Sequence, residues 1–296
     1  MAVDITDRKF IEGLIAKEKR TQRTGARALL LIPIAVLTLA YLAPFYYLVV
    51  TVFKSTPEYA KKGVLELPDS LAPFIDNVVQ AWTLARLDAA SVNSLSYAMF
   101  GAAIAVAIAA AAAYGMTRLN LIGANGWFML IFTGTLFPFQ MYLVPLLFGY
   151  QRLGIINTWI GMLLVYVAIC IPFPLLVLRN SFSGISREID EAARIEGASE
   201  WRVFTAMILP NAKGPLIALF LLQFTFIWND LLFSSILAAG INVRSVMVAL
   251  QSLQGTYSTN GPNVVITAAL ISSIPTVVLF IALRRYFMAG LQLGSK

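Results

Sequence analysis

Four polar side chains, Gln140, Gln223, Asn229 and Asp230, stand inside long apolar runs of a 296-residue chain. An amide there can give and take hydrogen bonds, and a carboxylate can hold a charge. In hydrocarbon an ionised side chain costs about 2.5–3.5 kcal/mol on insertion scales, so such positions usually have a functional reason. One reading has Asn229 and Asp230 lining a passage for a solute, or pairing with Gln140. The other has them forming interhelical hydrogen bonds that only support packing. Asp230 lies toward the outer part of its run, where proximity to the interface would also lower its cost.

The remaining inventory excludes most chemistry. There is no histidine, and Cys170 is the one cysteine. An intramolecular disulfide cannot form, and zinc, haem and Cys/His catalytic arrangements lack their parts. We therefore expect no catalytic residue and no metal site. A membrane hydrolase would need a nucleophile with a base, or a metal. An ion-coupled carrier would show carboxylates and basic partners at depth, whereas only Asp230 is present, without a basic partner. No G-x-x-x-x-G-K-[ST] phosphate loop occurs. The run Gly294-Ser-Lys296 is superficially similar, but no strand precedes it, so ATP chemistry must come from another chain.

The elements that hold these residues are membrane spans. The chain is 59% hydrophobic and only 12% charged, with a mean hydropathy of +0.77. A soluble domain carries about twice that charge because it has a wet surface to cover. Apolar runs predict six spans, at about 28–53, 95–116, 127–150, 159–178, 216–237 and 264–283. The first would reach roughly 39 Å as a helix, beyond the ~30 Å hydrocarbon core. It exceeds a signal-peptide apolar region and lacks a small-residue cleavage site, so it reads as an uncleaved span. The second is rich in Ala, with Gly101 and Gly115, and small residues let helices approach closely in lipid. Trp127, Tyr150 and Trp159 read as interfacial anchors of the third and fourth spans. Internal prolines at Pro138, Pro145, Pro172, Pro174 and Pro275 predict helix breaks.

The net charge of +7 and pI near 9.6 are compatible with nucleic acid or a membrane. The basic residues sit at the ends of apolar runs and not on one face, so we expect no nucleic-acid partner. Sixteen Lys and Arg fall on the side that holds both termini and the loops 117–126 and 179–215, against six on the other. That bias predicts both termini in the cytoplasm. Residues 1–27 form a basic segment, either a short amphipathic surface helix or a tail that only fixes topology.

The loop between the fourth and fifth spans, Ser186 to Pro210, has a pattern of its own. Ser186 can cap a first helix, with Glu188 and Asp190 in the first turn where the helix dipole favours acids. Gly197 can take a positive φ that ends it, Ser199 can cap a second helix, and Pro210 stops that pattern. Ala192 and Ala193 predict a flat patch between Ile189 and Ile195, with Glu191 and Arg194 at its edges. Such a patch lets another protein come close, and a helical hairpin tied to two spans is a lever.

In these residues the chain resembles the EAA loop of ABC-importer permeases. The family pattern is Glu-Ala-Ala, three residues, Gly, nine residues, Ile, any residue, Leu, Pro. Glu191, Ala192, Ala193, Gly197, Leu209 and Pro210 match in register, and Met207 replaces the usual Ile. Trp228-Asn229-Asp230, Pro138 to Gln140 with Pro145, and the ending Met288 to Lys296 are similar to carbohydrate-importer permeases. The likeness to the smaller, six-span permease of the maltose-transporter type covers nearly the whole chain.

The resemblance implies an all-α polytopic membrane protein of the bacterial inner membrane, with the type I importer permease fold and a coupling helix in the loop. It implies a heterodimer with a second permease, two cytoplasmic ATPase subunits that hold ATP and Mg, and an extracytoplasmic solute-binding protein. The EAA helix would dock on the ATPase, and the tail with Gln292, Gly294 and Lys296 would reach the ATPase interface. This chain would bind no cofactor itself. A sugar, oligosaccharide or glycoside is the expected solute, with polyols and glycerol phosphates as alternatives. The neutral polar segment 239–263 fits either contact with the solute or binding protein, or a plain connector.

Overall fold

The computed structural model describes residues 31–119, 121–254 and 260–292, with side chains as far as Arg284. The expected basic segment 1–27 and the tail positions Gly294 and Lys296 lie outside the described residues, and Gln292 is described only as helical backbone. Among the described residues every regular element is a helix. The chain divides into two compact units, Met1–Phe74 and Ile75–Lys296.

In the first unit, α1 (Leu31–Val52) is apolar on all sides, and Leu31, Ile34, Leu39 and Phe45 are exposed. That is the surface a helix presents to lipid. α2 (Thr56–Lys61) follows, opened by a capping box in which Ser55 and Glu58 satisfy each other's backbone amides. Lys54, directly after the first apolar run, is fully buried and donates to the carbonyl of Gly63 at 2.9 Å.

Helix α3 (Pro73–Leu84) leads into α4 (Leu87–Arg118), the long central helix of the second unit. Its buried face is a row of small residues: Ala98, Gly101, Ala102, Ala105, Ala109 and Ala113. This row lets α4 pack on three later helices, Trp159–Cys170, Pro172–Ser183 and Lys213–Trp228. At Gly101 the approach leaves no room for a side chain, because a Cβ there would stand 2.9 Å from Ile227 Cδ1.

The third span is not the single helix over 127–150 that its apolar run predicts. α5 (Ala124–Thr133) passes through a 3-10 turn, and α6 (Phe139–Leu153) leaves at 98° to it. Pro138 forces the break: it disfavours helical backbone at Phe137, which is extended at φ −86° and ψ 133°. The fourth span bends by 43° between α7 (Trp159–Cys170) and α8 (Pro172–Ser183), with Pro172 and Pro174 in the first turn of α8. Pro145 and Pro275 lie inside continuous helices, so only some of the five prolines act as breaks.

The loop then forms α9 (Arg187–Ile195), α10 (Glu200–Arg202), a π-helical stretch Val203–Ile208, and α11 (Leu209–Asn211). A 79° bend at Ala212 leads to α12 (Lys213–Trp228). The expected fifth span over 216–237 stops at Trp228, and α13 (Leu232–Leu237) is a separate short helix. α14 (Val246–Ser252) and α15 (Pro262–Gln292) complete the chain. Among the described residues three helices are long and apolar enough to cross a membrane, and the number rises to as many as six if each bent pair is one span.

Trp159 makes polar and aromatic contacts within the chain. Its indole donates to Ser96 Oγ at 2.9 Å and stacks on Tyr97. The segment 240–246 is stapled to α4 and its approach, with Tyr97 donating to Val243 O (2.8 Å) and Arg244 to Ala85 O (3.0 Å). Ser94 accepts from the amide of Val246 at 2.7 Å. These bonds satisfy buried polar groups that hydrocarbon or a dry core would penalise.

Candidate coupling loop and polar groove

The loop helix α9 forms where its local chemistry allows. The Ser186 hydroxyl accepts from the Glu188 amide at 3.3 Å. At the other end Gly197 takes φ +84°, and Ala198 N donates to Ala193 O at 2.9 Å. That left-handed turn with its long return bond is the Schellman stop, which glycine adopts without the Cβ penalty. Ser199 then caps the second helix by accepting from the Arg202 amide at 3.4 Å.

The two alanines of the expected patch part company. Ala193 is buried beside Val203 and Phe204, and Ala192 is exposed with Glu191 and Ile189. Consecutive helical residues differ by 100°, so one faces the protein and its neighbour faces out. The open face takes in Ile195 (87% exposed), the expected flank of the patch, and is extended by Trp201 (71% exposed), which the sequence pattern alone does not single out. Arg194 does not edge a flat surface either. Its guanidinium holds Glu200 through bonds of 2.7 and 3.1 Å, and Tyr114 of α4 donates to the same carboxylate at 2.6 Å. The Arg194 guanidinium, followed by the Tyr114 hydroxyl, keeps the Glu200 carboxyl down at about 2.

Leu209 and Pro210 close the motif differently from expectation. Pro210 does not stop the helix. It lies in the first turn of α11, and the chain turns only at Ala212. Immediately before it the backbone widens into a π turn, with Leu209 N donating to Phe204 O five residues back. A proline lacks its own amide and crowds the carbonyl four residues earlier, and a wider turn relieves both problems. Leu209 packs against the core beneath the loop, and Pro210 is exposed.

Asp190 and Arg118 are the functional-looking pair that sequence reasoning misses. Asp190 Oδ2 lies 3.1 Å from Arg118 Nη1, and both side chains are almost fully buried. The available signals were weak: Asp190 as a helix-opening acid and Arg118 as a lone cation after the second span.

Of the four polar residues within the spans, the structure brings two together. Asn229 and Asp230 line a groove of about 950 Å³ with Phe139, Phe226, Phe233 and Phe280. Gln140 is exposed on the first turn of α6 and Gln223 is buried on α12, and neither lines this groove. Asp230 does not pair with Gln140. It accepts from Tyr166 at 2.8 Å and from the amides of Phe233 and Ser234 at 3.2 and 3.0 Å. It therefore caps the opening of α13 while joining the fourth span to the fifth. Asn229 is exposed and donates to Thr225 O at 2.8 Å. Tyr166 was hidden in the sequence as one aromatic within an apolar run.

Residues 103–291 match the family described as "Binding-protein-dependent transport system inner membrane component". The chain is 30% identical over 252 residues to the probable ABC transporter permease protein YurM of Bacillus subtilis (strain 168), covering 85% of this chain and 82% of that one. It is 29% identical over 270 residues to the trehalose/maltose transport system permease protein MalG of Thermococcus litoralis (strain ATCC 51850 / DSM 5473 / JCM 8560 / NS-C), covering 91% and 96%. These relatives are transport permeases and not enzymes. In three dimensions the chain matches a bacterial ABC transporter involved in the import of the acidic polysaccharide alginate, with TM-score 0.75, 20% identity and coverage of 97% and 99%. That likeness shows the fold alone, the all-helical membrane fold of an ABC importer. The chain is a membrane-embedded member of the binding-protein-dependent transport system inner membrane component family.

Proposed function

We propose that this chain is one permease subunit of an ATP-driven, binding-protein-dependent importer for a sugar, oligosaccharide or glycoside. The observation that carries the reading is the loop from Ser186 to Pro210, built as a rigid hairpin with one open face. Glu191 and Ala192 on that face, with Ala193 and Gly197 shaping it and Leu209 and Pro210 rooting it, form the surface on which an ATPase docks. A trehalose/maltose permease among the relatives supports the solute class. A polyol or glycerol phosphate is the second choice.

The complex on this reading contains a second permease, two cytoplasmic ATPase subunits carrying ATP and Mg, and an extracytoplasmic binding protein. This chain itself binds no cofactor. Residues 1–27 and 284–296 and the loop 179–215 face the cytoplasm of a bacterial inner membrane, and residues 28–283 form the permease domain. Asn229 and Asp230 belong to the solute path, with Gln140 and Gln223 as further polar positions along the spans. Gln292, Gly294 and Lys296 belong to a tail that reaches the ATPase.

The test is uptake of labelled oligosaccharides by vesicles holding the whole complex. Glu191→Lys should abolish uptake and loosen ATPase association while membrane insertion stays intact. Normal transport by that variant would remove the docking role. ATP hydrolysis by the chain purified alone would overturn the assignment.

A further inference from the structure

The loop is gripped by a span to which it is not directly connected. The Tyr114 and Arg118 side chains share one face of α4 at i and i+4, and the main-chain carbonyl of Thr117 lies between them at its C-terminal turn. Each holds a different part of the hairpin. Tyr114 donates to Glu200 at 2.6 Å, Thr117 O accepts from Arg187 at 3.4 Å, and Arg118 meets Asp190 at 3.1 Å.

Arg118 is deeply buried, with its side chain 3% exposed against 2% for Asp190. Its Nη2 also donates to Phe182 O at 2.6 Å and Ile185 O at 2.7 Å. Carbonyls at a helix end lack intrahelical partners, and a cation there suits the helix dipole. One guanidinium thus joins α4, the end of α8 and the first turn of α9.

Stability alone does not account for this arrangement. A buried ion pair is commonly no better than apolar residues of the same volume. Here Arg118 Nε and Asp190 Oδ1 are buried without a hydrogen-bond partner among the described residues, so the pair is not fully satisfied by them. What the planar guanidinium supplies and an apolar contact does not is a fixed direction. α9 cannot rotate against α4 without leaving a buried charge unpaired. Because α4 packs along α12, and α12 ends beside Asn229 at the groove, movement of the loop has a continuous route to the polar residues.

We propose that Arg118 and Asp190 are a positioning pair that makes the hairpin and α4 one lever, so that motion of a docked ATPase drives the second span directly. This rests on the importer reading above.

The experiment uses the complete transporter in proteoliposomes and measures solute moved per ATP hydrolysed. The variants are Arg118→Lys and the double replacement Arg118→Met with Asp190→Leu. The double variant fills the same space without direction. It should assemble with the ATPase and keep ATP hydrolysis, yet move about tenfold less solute per ATP. Arg118→Lys should fall between it and the wild type, because an ammonium keeps the charge but not the fork. A wild-type ratio in the double variant overturns the proposal. If that variant fails to assemble, Arg118→Lys decides: a lowered ratio in an intact complex supports the pair, and an unchanged ratio removes it. A wild-type complex that shows no solute-dependent ATP hydrolysis would instead sink the importer reading, which keeps the two failures apart.

Discussion

Tyr166 donates a 2.8 Å hydrogen bond to Asp230 across the fourth and fifth spans, and the same carboxylate caps the start of α13. One acidic group therefore ends a broken span, joins two spans and forms part of a groove wall. Among the described residues, the side chain of its neighbour Asn229 bonds within its own helix, to Thr225 O. Adjacent in sequence, the two residues differ in what their loss should do.

Asp230→Leu would leave the Tyr166 hydroxyl and two amides without their acceptor, at about 1–3 kcal/mol for each buried group left unsatisfied. Tyr166→Phe should cost less, about 0.6 kcal/mol and at most roughly 1.7, the range for interhelical bonds in a bilayer. Asn229→Ala should change stability by no more than about 0.5 kcal/mol, as a surface change does. It should still lower uptake in the full complex. Thermal unfolding in detergent, set beside uptake, separates the cases. Unchanged uptake in Asn229→Ala would take the groove out of the solute path.

Acid should loosen the hairpin through Glu200. Its folded value is held at about 2 against an ordinary 4.5, chiefly by Arg194 and then by Tyr114. A carboxylate depressed on folding stabilises fully above its unfolded value, and that contribution fades as pH falls toward the folded one. The clasp should therefore be insensitive to pH from neutrality to about 5 and should weaken between about 4.5 and 2. The carboxylate is largely solvated, so the effect is local and screened by salt. Protease sensitivity at the 196–200 turn measures it, and Glu200→Gln should remove the pH dependence.

Gly197 is constrained by backbone and not by space within this chain. A Cβ there meets nothing within 4 Å, yet φ is +84°. Leaving glycine costs about 1–2 kcal/mol for an ordinary residue and less for Asn, which tolerates the left-handed region. Uptake and ATPase co-purification should follow the order Gly, Asn, Ala, Val. If Ala equals Gly in both, the turn is not needed in that form.

Much of the loop was legible because its signals are local. Ser186, Gly197 and Ser199 act within a few residues of themselves, and each serves as its type and spacing predict. Pro210 misled because a proline after a helical pattern reads as a stop, whereas the π turn before it accommodates the ring. The flat alanine patch misled for a related reason. Composition places Ala192 and Ala193 together, but rotation about the helix separates them, and only the packed Val203 and Phe204 decide which one turns inward.

Taken alone, the sequence determined what short-range and periodic signals encode: apolar runs long enough to span, the charge bias along them, the hairpin's caps, and a motif matched in register. Tertiary structure decided which distant polar groups meet. Arg118 with Asp190 and Tyr166 with Asp230 are joined only because α4, α7, α9 and α12 pack as they do. It also decided how far each proline bends its span, since Pro138 accompanies a 98° turn and Pro275 lies within a continuous helix. The physical reason is clearest for the charges. A buried carboxylate must be satisfied by whatever packs against it, and for Asp190 and Asp230 that partner comes from a helix distant in the chain.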